Sequence, residues 1–182
     1  LSEEFNNDKS PSKVNLAVGV YQDDNGKTTT FESVLEAEKI LLDMDISKSY
    51  KPIDGDKGFV NSSIEMVIGK NLFSEPNFYP IGLNTPGGTG ALKLISEFLN
   101  IFSPNSKVWF SNPTWANHKP IFESSGFSTM DYEYFDKENN VVDFKNFLNS
   151  VQNIPSGDII ILHGCCHNPT AVSYTHLRAH ET

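Results

Sequence analysis

The chain has 182 residues, with 14 Lys and Arg against 23 Asp and Glu, for a formal net charge of −9. This balance argues against a nucleic-acid binder, which needs clustered cations to neutralise phosphates, and against a polybasic membrane patch. All the cations but Arg178 are lysine, so residues 1–170 hold no guanidinium for a bidentate carboxylate or phosphate clamp.

Length fits one domain of ordinary size, and 38% hydrophobic with 12% aromatic residues is enough for a real core. No apolar run reaches the roughly 18 residues of a membrane-spanning helix. The start, LSEEFNNDKS, is polar and acidic, unlike a secretory leader. The two cysteines, Cys165 and Cys166, are adjacent and would close only a strained ring, so reduced thiols and a cytoplasmic location are expected.

In chain order, residues 13–21 (KVNLAVGVY) read as an extended segment, followed by a turn at Asp24, Asn25 and Gly26. Residues 30–44 place Phe31, Val34, Leu35, Ile40, Leu41 and Met44 at helical spacing. A Pro/Gly loop at 49–58 leads to a weaker helix over 57–71, and 78–84 reads as a strand. The pattern then becomes regular. Residues 88–101 form a helix with Leu92, Ile95, Phe98 and Leu99 on one side, and 107–111 a short apolar strand. Helix follows at 115–125, strand at 128–135, helix at 142–153, and strand at 158–163 (DIIILH), apolar enough to be buried on both faces. Such alternation predicts an α/β fold with a largely parallel sheet. The closing AVSYTHLRAHET (171–182) breaks the pattern. It resembles translated cloning or adapter sequence and is set aside from fold reasoning.

Three loops carry chemistry. TPGGTG (85–90) runs into a helix, where free backbone N–H groups and the helix dipole favour an anion. A phosphate site and ordinary helix capping are both open readings of this loop. It lacks the Gly-Lys-Ser/Thr of a P-loop. Gly88 and Gly90 begin a dinucleotide fingerprint, but Lys93 takes the third glycine's place and no acid ends the next strand, which disfavours NAD. NPTWANH (112–118) follows a strand, at the end where open α/β sheets bind ligands. Trp115 could stack on a planar ring or fill the core, and Asn117 and His118 could be capping or surface residues. HGCCHNPT (163–170) follows the most apolar strand. Its His163, Cys165, Cys166 and His167 are too crowded for a zinc site, with no second ligand cluster, so no metal is expected. Asn168 could donate to a ligand oxygen.

A phosphate cup, a stacking Trp and an Asn after a buried strand fit a flat phosphorylated cofactor. On KVNLAVGVY (13–21), SYKPIDGDKGF (49–59), TPGGTGALK (85–93), NPTWANHKPIF (112–122) and LHGCCHNPT (162–170), the chain resembles the aspartate aminotransferases, pyridoxal 5′-phosphate enzymes of fold type I. The resemblance implies a three-layer α/β/α large domain with a mostly parallel sheet, incomplete here. Residues 1–29 would be an N-terminal arm and small-domain segment, and 30–170 the first half of the cofactor-binding domain. It implies that Gly88 and Thr89 contact the cofactor phosphate, that Trp115 stacks on the ring, and that Asn168 donates to the phenolic oxygen. Tyr50 would reach the phosphate of the neighbouring subunit in a homodimer. Val18 and Gly19 would close over the substrate, with Asn117 near its carboxylate and Trp115 and Asn168 also lining its site. His118 and His163 would stand behind the ring-nitrogen side, and the Asn112–Pro113 and Asn168–Pro169 peptides would be cis.

The family's Schiff-base lysine and substrate-binding arginines lie beyond the matching stretches, so no catalytic residue is assigned. The parent protein is expected to transfer amino groups between an amino acid and a 2-oxo acid, aspartate being the expected donor. An aromatic-amino-acid aminotransferase is the alternative. The chain by itself is expected to be a non-catalytic phosphate-binding fragment with an exposed sheet edge near 158–163.

Overall fold

The computed structural model describes residues 2–15 and 19–171. The chain divides into two compact units, Leu1–Lys51 and Pro52–Thr182.

The first unit holds helices α1 (Ser2–Asn7) and α2 (Glu32–Asp43). Lys13 stitches its start together, donating to the carbonyls of Phe5 (2.7 Å) and Asp8 (2.6 Å). The turn at 24–26 forms as expected, closed by Lys27 N–H donating to Asp23 Oδ1 at 2.8 Å. The extended segment expected at 13–21 is not a strand where it is described, and Leu16, Ala17 and Val18 lie outside the described residues.

The second unit opens with α3 (Lys57–Ile68), capped by the Asp56 carboxylate accepting from Phe59 N–H at 3.1 Å, and α4 (Lys70–Phe73). The strand expected at 78–84 is absent. A strand needs a neighbour to satisfy its ladder, and among the described residues this segment has none. It lies instead against α3, so closely that a Cβ on Gly82 would come within 2.7 Å of Val60. Asn84 N–H donates to Asp54 O at 3.1 Å, and Gly55, at φ +95°, has no room for a side chain beside Asn84.

The remainder is α5 (Gly87–Phe102), β1 (Lys107–Asn112), α6 (His118–Glu123), β2 (Ser128–Glu133), β3 (Phe135–Asp136), β4 (Val141–Val142), α7 (Phe144–Gln152) and β5 (Ile159–Ile160). The main sheet is wholly parallel, in the order β2–β1–β5, and β3–β4 is a small antiparallel hairpin. Period-2 alternation splits β1 between two cores. Val108 and Phe110 face Phe122 and Phe127, with Leu92 and Leu99 of α5 against them. Trp109 faces the other way, toward Tyr132, Tyr134, Val142 and Phe147. Helices thus cover both faces of the sheet, in three layers. Asp158 clamps the start of β1, accepting from Lys107 N–H (2.9 Å) and Trp109 Nε1 (2.8 Å), and these bonds hold its carboxyl below the usual range.

Two expectations need correction. The strand at 158–163 pairs over only Ile159 and Ile160, and on one edge; Ile159 and Ile161 pack on the α5–α6 core and Ile160 on the α7 core, so both faces are covered, but each residue is only half-buried. Helix α5 buries Ser96 and half-buries Leu92 and Leu99, not the Leu92–Ile95–Phe98–Leu99 side. Ile95 and Phe98 stay exposed, with Leu94, Ile101 and Phe102 beside them. Only the Lys93, Ser96, Glu97 and Asn100 stripe of α5 is polar, and an apolar arc this wide is normally covered, whereas here the described residues cover one edge of it. The 182-residue chain is therefore expected to bind a hydrophobic dye and to elute above its monomer mass. The double variant F98K/I101K should reduce both without lowering the melting temperature.

Candidate functional site

Parallel pairing puts the C-terminal ends of β1 and β5 at one edge of the sheet. The loops 113–117 and 161–170 leave from that edge. Helix α5 joins β1 through residues 103–106 and packs back along it through Leu99 and Leu92, which brings its N-terminus to the same edge. All three loops singled out in the sequence therefore collect there, where open α/β sheets bind ligands.

The α5 start is open. Pro86 occupies the cap position without a side-chain hydrogen bond to the helix, and Gly87 turns into it at φ 71°. A Cβ built on Gly88 would meet nothing within 4 Å, and Thr89 is exposed beside it. One turn on, Lys93 is structural. It donates to Ser124 (3.0 Å) and Ser125 (2.8 Å) and pairs with Glu97, tying α5 to the end of α6.

The second loop starts with a cis Asn112–Pro113 bond, as the resemblance implies. Helix α6 then begins at His118, not 115, with Pro120 in its first turn, where a missing N–H costs no helical bond. Asn117 stands at the cap position but makes no side-chain cap bond, and it is exposed. His118 is buried, not a surface residue. It stacks on Phe110, meets Trp115 edge-on at 5.3 Å, and shares a 2.8 Å hydrogen bond between Nδ1 and Thr114 Oγ1.

The third loop carries a cis Asn168–Pro169 bond. Asn168 N–H donates to His163 Nδ1 at 3.1 Å. With Nδ1 accepting, a neutral His163 carries its proton on Nε2, and that atom is buried with no hydrogen-bond partner among the described residues. Such an orphan costs about 1–3 kcal/mol. His163 meets His118 edge-on at 5.1 Å and stacks on His167 at 4.3 Å, and His167 stacks on Tyr134 at 4.2 Å. A continuous aromatic column thus runs Trp115–His118–His163–His167–Tyr134 between the two loops. Cys165 and Cys166 are exposed free thiols, and no group of three or more His, Cys, Asp or Glu among the described residues is placed to hold a metal.

The site residues expected from the sequence fall into three sets. Trp115, His118, His163 and Asn168 are joined by contacts, while Asn117, Gly88 and Thr89 share their edge of the sheet. Gly19 and Tyr50 belong to the first unit, Tyr50 fully exposed. Val18 lies outside the described residues. Sequence reasoning passed over His167, together with Ser111, Thr114 and Thr170, which hydrogen-bond the histidine rings. The available signal was the His163–His167 spacing next to a serine ending an apolar strand.

The family model for class I and II aminotransferases matches residues 11–178. The chain belongs to the class I and II aminotransferases. The aspartate aminotransferase of Escherichia coli (strain K12) is 41% identical over 175 residues, which are 96% of this chain and 44% of that relative. Among solved structures, the aspartate aminotransferase from Saccharomyces cerevisiae cytoplasm matches with a TM-score of 0.82 at 34% identity, covering 94% of this chain and 42% of that one. An aromatic-amino-acid aminotransferase from Burkholderia pseudomallei, covalently bound to pyridoxal phosphate, matches with a TM-score of 0.80 at 36% identity over 92% and 42%. The chain thus spans under half the length of these aminotransferases, and its α/β unit is part of a fold type I domain. No helix among the described residues is long and apolar enough to cross a membrane.

Burial holds the three histidines neutral. It lowers His163, and it lowers His118 with help from the neighbouring His163. His167 is pulled down to about 4 by burial and then by His163 and His118. Unfolded, each ring binds a proton near pH 6.5. The histidine contribution to stability is therefore complete above pH 6.5 and drains away as the pH falls toward 4. The slope is at most about 1.4 kcal/mol per pH unit per ring. Asp136, Asp158 and Glu97, whose folded values are lowered, lose their contributions only at still lower pH, below about 4.5. The urea midpoint, followed by circular dichroism, should fall between pH 7 and pH 5, and H167Q should flatten that dependence.

Proposed function

We propose that the protein carrying this chain is an aspartate:2-oxoglutarate aminotransferase using pyridoxal 5′-phosphate. The supporting observation is the collection, at one sheet edge, of an uncapped helix start with open space over Gly88, a half-buried Trp115 and a loop bearing Asn168. The donor set suits the cofactor: free N–H groups and Thr89 for a dianionic phosphate, an indole for a flat ring, and the orphaned His163 Nε2–H facing an unmet need for an acceptor.

Bound there, the cofactor supplies the electron sink for a carbanion-like centre. The chain's residues do the rest of the holding. Gly88 and Thr89 grip the phosphate, Trp115 stacks on the ring, and Asn168 donates to its phenolic oxygen. His118 and His163, held neutral, would stand behind the ring-nitrogen side, where a neutral donor would support the polarity of the ring without adding a charge. Asn117 borders the substrate, with Trp115 and Asn168; closure over it by Val18 and Gly19 is what the family resemblance implies. Tyr50 serves the phosphate of the second subunit of a homodimer. With residues 1–170 free of arginine, the two substrate carboxylates are bound by groups outside them. A cytoplasmic location accords with the name of the yeast relative. The aromatic relative, matching equally well in fold, supports aromatic amino acids as the second reading.

Pyridoxamine 5′-phosphate is the suitable probe, since it has no aldehyde to react with surface lysines. Wild type should bind it in equilibrium dialysis, and inorganic phosphate should compete. Gly88→Ala has room for its methyl group and gains helix propensity worth up to about 1 kcal/mol, so it should keep or raise the melting temperature while weakening binding. Equal binding by G88A, T89V and wild type would refute the phosphate site. With aspartate and 2-oxoglutarate, the longer protein should form oxaloacetate and the 182-residue chain should not. Faster turnover of phenylalanine than of aspartate by the longer protein would favour the aromatic reading.

A further inference from the structure

His167 is 98% removed from solvent, beside the site, and no role yet described uses it. Its hydrogen bonds fix its proton. Ser111 Oγ has one hydrogen and lies 2.9 Å from the Pro113 carbonyl, which can only accept. The 2.7 Å contact between Ser111 Oγ and His167 Nε2 must then be closed by a proton on Nε2. Nδ1 is left with its lone pair and accepts from Thr170 Oγ1 at 2.9 Å. Both faces of the ring are occupied, by Tyr134 at 4.2 Å and by His163 at 4.3 Å. Tyr134 belongs to the core beneath α7, meeting Phe147 edge-on, whereas His163 accepts from the backbone N–H of Asn168. The ring therefore joins the end of β1, the α7-side core and both ends of the 163–170 loop.

We propose that His167, held as the neutral Nε2–H tautomer between Ser111 and Thr170, is the positioning residue that fixes the Asn168 loop against the Trp115 loop. The role rests on the reading that Trp115 and Asn168 serve one planar phosphorylated ligand. Only histidine meets every demand. Gln can donate to Ser111 but cannot also stack on both faces, and Phe can stack but not bond. A protonated His would turn Nδ1 into a donor and reverse its bond with Thr170.

Two measurements test this. Magic-angle-spinning 15N spectra of histidine-labelled chain read tautomers whatever the particle size, and H167Q identifies the residue's signals. Nε2–H with a bare Nδ1, unchanged from pH 8 to pH 5, is expected; an Nδ1–H tautomer or a midpoint near 6.5 overturns the proposal. In dialysis, H167F should raise the dissociation constant of pyridoxamine 5′-phosphate about tenfold, the loss of one to two hydrogen bonds. It should leave that of inorganic phosphate unchanged, and H167Q should recover part of the loss. Equal weakening of both ligands, or no weakening, overturns positioning. If H167F does not fold by circular dichroism, the wild-type tautomer and H167Q decide. Failure of wild type to bind pyridoxamine 5′-phosphate overturns the cofactor reading and the positioning role together, and the tautomer is then a feature of the fold alone.

Discussion

Strand β1 has to satisfy hydrogen-bond ladders on both edges while burying side chains on both faces. Six residues meet all four demands. Val108 and Phe110 go to the α5–α6 side, Trp109 to the α7 side, and the edges pair with β2 and β5. Because both neighbours are parallel to β1, the chain must cross back over a face each time, and α6 and α7 are those crossings. Parallel pairing also leaves the strand ends in register, so every loop that follows a strand emerges at one edge. The site is a consequence of that geometry.

At that edge the structure tolerates an unusual density of buried polar rings. Three histidines, stacked or edge-on, would repel one another if charged, and burial makes charging still more costly. They persist as neutral rings because Ser111, Thr114, Thr170 and the Asn168 amide bond four of their six nitrogens. Of the other two, His163 Nε2 is fully buried, a donor without an acceptor among the described residues. A buried network with one open position is costly unless a ligand or further chain completes it. The open helix start of α5 has the same character, since its first N–H groups lack a side-chain cap.

Much of this was legible in the sequence. Alternation of apolar runs gave the order of helices and strands from residue 87 onward, and GGTGAL, PTWANH and CCHNPT marked the three loops that meet. Both cis peptides followed from the family resemblance. What failed did so for lack of a partner. Residues 78–84 and 162–163 have strand-like composition, but a ladder forms only where a neighbour lies. The apolar side of α5 was misjudged for a related reason. With Leu, Ile and Phe spread over a wide arc of the helix, periodicity does not say which part of it is covered, and Ser96, polar on paper, is buried through its bond to Ser125.

Read alone, the sequence determined the alternating α/β order, the identity of the three loops that meet at one sheet edge and the membership of a family, because these depend on local pattern and on motifs of contiguous residues. It could not assign His167, since the partners that fix its proton and orientation, Ser111 and Tyr134, are 56 and 33 positions away along the chain. Nor could it show that Lys93 is a strut and Asp158 a clamp on Trp109, while Trp115 is half-exposed beside His118. Burial, tautomer and stacking are relations between distant segments. Only the parallel sheet, by carrying β1 and β5 side by side, brings those segments within hydrogen-bonding reach.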